Sequence, residues 1–378
     1  MNRQNVRGAN EFDDVRPYRD GEVSAVLARL VEDDDVAHSA AAFLAPRLHR
    51  WLPGITTSWV KRTLKRRVSG LSTIEALQLE ISRFFEHLIK TTTAGMTVSG
   101  LENLARDQAH LFISNHRDIT LDSGFMNYAL WSNGFDTSQI AVGNNLFQQH
   151  FATDLMRLNK SFVVRRDVGG PKANLAAMSH TSRYIRHTLE QGESVWIAQR
   201  EGRAKDGIDR TEPAIIKMFG LAYRKELATI GDWLETVRLV PVSLSYEIDP
   251  CAPIKARELY LKAQQGGYEK SDTEDLDSIL RGIVGYKGRV SVAFGERVQG
   301  DYTDAKAVAA ACDREIVGNL MLYPTHYRAF DGSGELPAKV EEAWADGLAA
   351  CEAEYVDYLR IQYANQLTNQ AAVARTTR

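Results

Sequence analysis

The chain has 378 residues, 44% hydrophobic and 25% charged, a globular composition long enough for one large domain or two smaller ones. A net charge of −3 and the lack of any recognisable nucleic-acid motif argue against a dedicated nucleic-acid binder. Cys251, Cys312 and Cys351 lie far apart without CxxC spacing, which points to a reducing compartment and excludes a disulfide framework or a sequence-evident zinc site.

Residues 1–20 read as a polar lead-in carrying both charge signs. The lead-in has no apolar h-region, so no secretory signal is expected. No run of 18 apolar residues occurs, so no membrane span is expected. The expectation is a cytoplasmic chain that meets any lipid substrate from the water side, peripherally, at the inner face of a membrane.

Residues 1–95 read as a helical N-terminal region. Val23, Val26, Leu27, Leu30 and Val31 repeat at helical spacing. A second helical stretch covers about 39–51, with a break or kink at Pro46, and a third covers about 57–68 beyond Pro53-Gly54. Ile74, Leu77, Leu79, Ile81, Phe84, Phe85 and Leu88 mark a longer amphipathic helix. No Asp or Glu occurs between Asp35 and Glu75, an interval holding Arg47, Arg50, Lys61, Arg62, Lys65, Arg66 and Arg67. Trp51, Trp59, Leu44, Leu48, Leu52 and Leu64 are interleaved with these cations. Basic amphipathic helices with tryptophan lie in the interface of anionic membranes, so residues 44–68 are a candidate membrane-surface contact. The alternative is a solvated basic face whose tryptophans pack inward.

After Gly95 short apolar runs alternate with helical stretches. The runs Leu111–Ile113, Phe162–Val164, Val195–Ala198, Val237–Leu244 and Val290–Phe294 have the length and β-branched content of buried strands. Helical stretches cover 170–190 and 213–228. The alternation predicts an α/β fold over 96–300, a central mixed sheet flanked by helices. Residues 301–378 read as an added C-terminal helical extension. There Val340, Trp344, Leu348, Cys351, Tyr355 and Tyr358 form one continuous helical face, with a polar tail fraying from about Asn365.

Four blocks carry the chemistry: S-N-H-R-D-I-T-L-D at 114–122, S-F-V-V-R-R-D at 161–167, Q-R-E-G-R-A-K-D-G at 199–207 and L-V-P-V-S-L-S-Y-E at 239–247. Each follows or includes an expected strand, and strand ends of an α/β sheet converge on one crevice. A histidine leaving a buried strand, with a carboxylate six residues on, can form a general base and its orienter for acyl transfer to a hydroxyl. His116 is the candidate base and Asp122 its partner, with Asp118 the competing carboxylate. Arg165, Arg166, Arg200 and Arg203 form a candidate phosphate-binding set, because the guanidinium fork suits phosphate oxygens. The plainer reading of these arginines is salt bridges with Asp167, Glu201 and Asp206. Glu201 can order the arginines, and Gly202 allows a tight turn or close substrate approach. Asn115, Arg117, Asp118 and Pro241 are supporting residues.

These blocks resemble the motifs of the glycerolipid acyltransferase superfamily, over about residues 96–298. His116 to Asp122 is similar to its N-H-x4-D motif. Phe162, Val163 and Arg165 match an F-I-x-R block. Glu201, Gly202 and Arg203 match F-P-E-G-T-R, and Val240, Pro241 and Val242 match V-P-V. Three departures stand out. Five residues rather than four separate His116 from Asp122, Arg200 replaces a proline, and Asn144 or Asn145 stands near where the family has a lysine. Asp122 is preferred over Asp118 because an extra loop residue keeps Leu121-Asp122 in line with the family's apolar-Asp pair. The resemblance implies acyl-CoA or acyl-ACP as donor, with an acyl carrier protein as a partner in the second case. It implies a glycerophosphate or lysophospholipid acceptor, and neither a metal nor a bound cofactor.

Rival readings are a protein kinase, a non-catalytic lipid-binding scaffold and an acyl-thioester hydrolase. The kinase reading fails because Ser123 stands where H-R-D-x4-N needs asparagine, and no D-F-G or Gly-rich phosphate loop occurs.

Overall fold

The computed structural model describes residues 11–44, 46–147, 150–166, 169–271 and 273–376. The side chains of Leu44 and Arg47, and all of Asp167, lie outside the described residues. In chain order the elements begin with helices α1 (Asp20–Glu32), α2 (Asp34–Leu44), α3 (Pro46–Trp51), α4 (Pro53–Val68) and α5 (Ile74–Thr92). Next come β1 (Gly95–Ser99), β2 (Leu111–Ser114), α6 (Leu121–Ser132), β3 (Gln139–Gly143), α7 (His150–Leu158) and β4 (Ser161–Val164). They are followed by α8 (Pro171–Glu190), β5 (Val195–Ala198), α9 (Pro213–Gly220), α10 (Ile230–Val237) and β6 (Leu239–Tyr246). The chain continues through α11 (Ala252–Gln265), α12 (Glu274–Val284), β7 (Arg289–Phe294) and α13 (Ala305–Gly318). It closes with α14 (Pro324–Phe330), α15 (Ala338–Ala349) and α16 (Val356–Thr376).

Proline opens α3, α4, α8, α9 and α14. Its fixed φ suits the first helical position, where its missing N–H is not needed. Pro46, where a break or kink is expected, begins a helix of its own.

Contacts divide the chain into two compact units, 1–83 with 139–168 and 84–138 with 169–378. In the smaller unit, Val23, Val26, Leu27, Leu30 and Leu158 are buried together, with Val68, Leu71, Ile74 and Leu77 packed against them. Arg29 is paired with Asp154 at 2.5 Å, and the Tyr18 hydroxyl donates to the same carboxylate at 2.7 Å. β3 and β4 pair in parallel here.

The larger unit holds a mixed sheet of strand order β1-β7-β6-β2-β5. β2 runs parallel to β5 and to β6, β7 runs antiparallel to β6, and β1 runs parallel to β7. In register, Ser114 stands beside Ala198 on one side and Val242 on the other. The carboxyl ends of β2, β5 and β6 thus reach one edge of the sheet, the edge where ligand crevices of α/β sheets form.

The expected strands are present, with β6 two residues further along than its apolar run suggested. β1 and β3 are not among the expected strands: Gly95–Ser99 has two apolar residues, Met96 and Val98, and Gln139–Gly143 has one short apolar run, Ile140-Ala141-Val142. The helix expected over 213–228 ends at Gly220, a poor helix former, and α10 follows as a separate helix. The continuous C-terminal helix is also corrected. Val340 and Trp344 lie on α15, Tyr355 sits in the turn after it, and Leu359 and Tyr363 lie on α16. Both helices point their apolar sides into one cluster with Ile248, Ala252 and Ala256, which preserves a three-and-four spacing across the break. The tail expected to fray is helical to Thr376.

Candidate active site

The four residues of β2 are fully buried, and the chain leaves the sheet through Asn115. The Asn115 amide donates to the Leu244 carbonyl at 2.9 Å, and its oxygen accepts the Leu244 N–H at 2.8 Å. This side chain continues the β2–β6 ladder one step past the strand and fixes where His116 emerges. Ala204 N–H then donates to the His116 carbonyl at 2.8 Å. The imidazole lies edge-on to Trp196 of β5, with ring centroids 6.0 Å apart.

His116 Nδ1 lies 2.8 Å from Asp122 Oδ2. The same oxygen accepts the backbone N–H of Arg117 at 2.6 Å and of Asp118 at 2.9 Å. Oδ1 accepts the Tyr246 hydroxyl at 2.7 Å. Asp122 is fully buried. Burial works to raise its carboxyl, but the hydrogen bonds from His116, Tyr246 and the Asp118 N–H outweigh it and hold the group below the usual range. With Nδ1 donating to Asp122, the ring's lone pair resides on Nε2.

Asp118 has a different task. Its Oδ1 accepts the N–H groups of Thr120 and Leu121 at 2.9 and 2.8 Å, satisfying donors at the start of α6. Burial, and the Asp122 charge beside it, raise its carboxyl. The loop's fifth residue is absorbed by this turn, which is how Asp122 reaches the imidazole despite the longer spacing.

Arg117 points away from the imidazole. It donates to the Ala204 carbonyl at 3.1 Å and pairs with buried Asp209 at 2.5 Å. Burial pushes the Asp209 carboxyl up to about 6 against the pull of Arg117. Sequence reasoning missed Asp209, since no spacing rule links it to a residue 92 positions earlier. It also missed Tyr246 as a partner of Asp122. A tyrosine ending an all-buried strand on the histidine's edge of the sheet was the available signal.

Of the candidate arginines, Arg200 and Arg203 follow β5 in the larger unit. Arg203 is buried, and its Nη1 has no hydrogen-bond partner among the described residues; neither has Arg200 Nε. Asp275 approaches Arg203 to 4.0 Å. Glu201 is exposed, and Gly202 is exposed at φ +70°. Arg165 and Arg166 belong to the smaller unit. There Arg165 pairs with Asp14 at 2.9 Å, and the Arg166 N–H donates to Asn144 Oδ1 at 3.1 Å. Pro241 is buried in β6 and accepts the Gly295 N–H at 2.8 Å, a strand role. Burial pushes the Cys251 thiol up to about 12, which leaves it inert as a nucleophile. Among the described residues no group of three or more His, Cys, Asp or Glu side chains could hold a metal.

In the smaller unit the tryptophans do not pack inward. Trp51 is 81% exposed, Ile55 64% and Trp59 56%. Arg50, Arg62, Lys65, Arg66 and Arg67 are exposed on the same two helices, α3 and α4. Lys65 pairs with Glu32 at 3.2 Å, and Lys61 with Asp34 at 2.7 Å. Among the described residues no helix is long and apolar enough to cross a membrane.

The α/β sheet of the larger unit carries the histidine–aspartate pair at its carboxyl edge, and residues 95–227 match the family model described as Acyltransferase. Over that segment, about a third of its length, the chain is similar to the Acyltransferase family. Among solved structures the chain is similar to the 1-acyl-sn-glycerophosphate (LPA) acyltransferase PlsC from Thermotoga maritima. The identity is 15%, covering 64% of this chain and 77% of that chain, with a TM-score of 0.35. No curated protein matches the chain.

Proposed function

We propose that the protein moves a fatty acyl group from a thioester donor, acyl-CoA or acyl-ACP, to the hydroxyl of a glycerophosphate or lysophospholipid acceptor. The observation that carries the reading is the Asp122-held imidazole at the edge where β2, β5 and β6 end. His116 Nε2 takes the acceptor's hydroxyl proton as the oxygen attacks the thioester carbonyl carbon. The tetrahedral oxyanion collapses, the C–S bond breaks, and the imidazolium returns the proton to the departing thiolate. Asp122 stays ionised and stabilises the imidazolium. Buried Arg203, with an uncommitted Nη1, and Arg200, with an uncommitted Nε, suit the phosphate of the acceptor. Glu201 completes the proposed substrate set of the larger unit, and Arg165 and Arg166 are a separate proposed substrate contact of the smaller unit. The acceptor is met at an anionic membrane surface through α3 and α4, whose exposed tryptophans and arginines support that reading.

The test presents labelled acyl-CoA and acyl-ACP to purified protein with glycerol-3-phosphate, lysophosphatidate and other lysolipids. Wild type forms acylated lipid, and His116→Ala loses roughly 10²- to 10⁴-fold in rate, the usual contribution of a general base. Free fatty acid alone would replace this reading with hydrolysis. No product from folded protein with any acceptor would replace it with a non-catalytic scaffold.

A further inference from the structure

We infer that Tyr246 is a positioning residue for the His116–Asp122 pair, its hydroxyl locking the carboxylate so that Oδ2 stays aimed at the imidazole. The inference deepens the proposed acyl transfer and, for its kinetic consequences, rests on that reading.

The Asp122 carboxylate is buried away from water, so its orientation is set by the donors around it. Oδ2 takes three, the imidazole and the N–H groups of Arg117 and Asp118. Oδ1 has Tyr246 as its donor, at 2.7 Å. Rotation about the Cβ–Cγ bond would pull Oδ2 off all three of its donors and break the tyrosine bond as well. Tyr246 is itself held in place. It is the last residue of β6, in register with Val290 of β7, and its ring packs 5.9 Å from Phe125, three residues beyond Asp122 on α6. The sheet therefore sets the hydroxyl, the hydroxyl sets the carboxylate, and the carboxylate sets the imidazole. A hydroxyl that served only to satisfy a core tyrosine could use any nearby carbonyl; this one is spent on the carboxylate that bonds His116.

The bond also favours the ionised carboxylate. The charged groups around the pair are His116 and Asp118 on the same loop, Arg117 with Asp209, Asp249 beyond β6, and Lys287 lining a cavity with Asp118 and Tyr246. Removing the hydroxyl leaves these in place and withdraws one donor from Asp122. The carboxylate then holds a proton more readily, so the acid limb of activity moves to higher pH.

The experiment compares wild type, Tyr246→Phe and Phe125→Leu. Phe125→Leu disturbs the ring's packing and leaves the hydroxyl. For Tyr246→Phe we expect kcat to fall roughly 10- to 100-fold, the loss of one hydrogen bond to a charged group. KM should stay within about twofold, and the acid limb of kcat/KM should shift up. For Phe125→Leu we expect a lower Tm with the acid limb unmoved. Proton NMR of ¹⁵N-histidine-labelled protein gives a readout independent of turnover. The hydrogen-bonded Nδ1–H of His116 should be visible in wild type and be lost at a higher pH in Tyr246→Phe. An unchanged Nδ1–H signal and pH profile in folded Tyr246→Phe would overturn the inference, even with wild type fully active. Inactive wild type with the signal altered in Tyr246→Phe would instead overturn the acyl-transfer reading and leave the positioning intact.

Discussion

Gly207 has φ +78°, and a Cβ added there would stand 2.0 Å from the Gln362 carbonyl oxygen of α16. Gly202 has φ +70° but open space around it. An alanine at 202 meets only the left-handed backbone cost, about 1 kcal/mol. At 207 the same cost is joined by a clash with backbone that cannot move without displacing a helix. Gly207→Ala should therefore lose about 3 kcal/mol or more and Gly202→Ala about 1, read by thermal or urea denaturation. Equal losses would mean that α16 shifts freely. The same contrast explains which site residues were legible. His116 and Asp122 are reactive groups a few positions apart at a strand exit, so the pair could be read in sequence, and the ambiguity with Asp118 was one of geometry. Tyr246, Asp209 and Gly207 act through partners 124, 92 and 155 residues away, and no local pattern encodes such pairings.

At the level of elements, the sheet strands buried on both faces were legible because apolar β-branched runs have few other uses. The docking of α16 was legible only in part, because beside Leu359 and Tyr363 its inward side is built from amides. Gln362 donates to the Ala252 carbonyl at 3.0 Å, Asn365 to that of Asp206 at 2.9 Å, and Asn369 accepts the Asp209 N–H at 2.8 Å. Hydrophobic periodicity reads such a helix as a loose tail. The opposite lesson comes from α3 and α4, where tryptophans that a core would have claimed stand in solvent. If these helices meet an anionic bilayer, each free cation contributes about 1 kcal/mol, or roughly fivefold in partitioning. Replacing Arg62, Arg66 and Arg67 by Gln should then weaken capture on anionic vesicles by about 100-fold. Lys65 is the poorer target because Glu32 already pairs with it. Trp51→Ala with Trp59→Ala should weaken capture on anionic and zwitterionic vesicles alike. Sedimentation that is the same for wild type and both variants would sink the membrane role.

For the molecule as a whole, acid stability is set by buried groups of opposite sign. His326 is buried with Nδ1 accepting the Tyr323 N–H at 2.9 Å and Nε2 against Gln366 Oε1 of α16 at 3.2 Å. Burial lowers it to about 4, and burial likewise lowers His110 to about 4. A histidine kept neutral by folding contributes stability that is complete above its unfolded value of 6.5 and is lost as pH falls toward the folded value. The span from 6.5 to about 4 corresponds to roughly 3 kcal/mol for a fully buried imidazole, and less for His110. Asp209 works the other way. Its carboxyl is raised to about 6, so its contribution is complete below about 4 and is lost as pH rises through 6. Between pH 6.5 and 6 the loss from the histidines dominates, and below 6 the raised carboxyls of Asp209, Asp118 and Asp313 offset part of it. Tm should thus fall as pH drops from 7 to 5, with the α16 contacts weakening as His326 takes a proton into a buried site. His326→Gln, which does not titrate, should start from a lower Tm at pH 7 and show a flatter decline below it. A decline as steep as that of wild type would place the acid sensitivity elsewhere, with His110 as the next residue to replace.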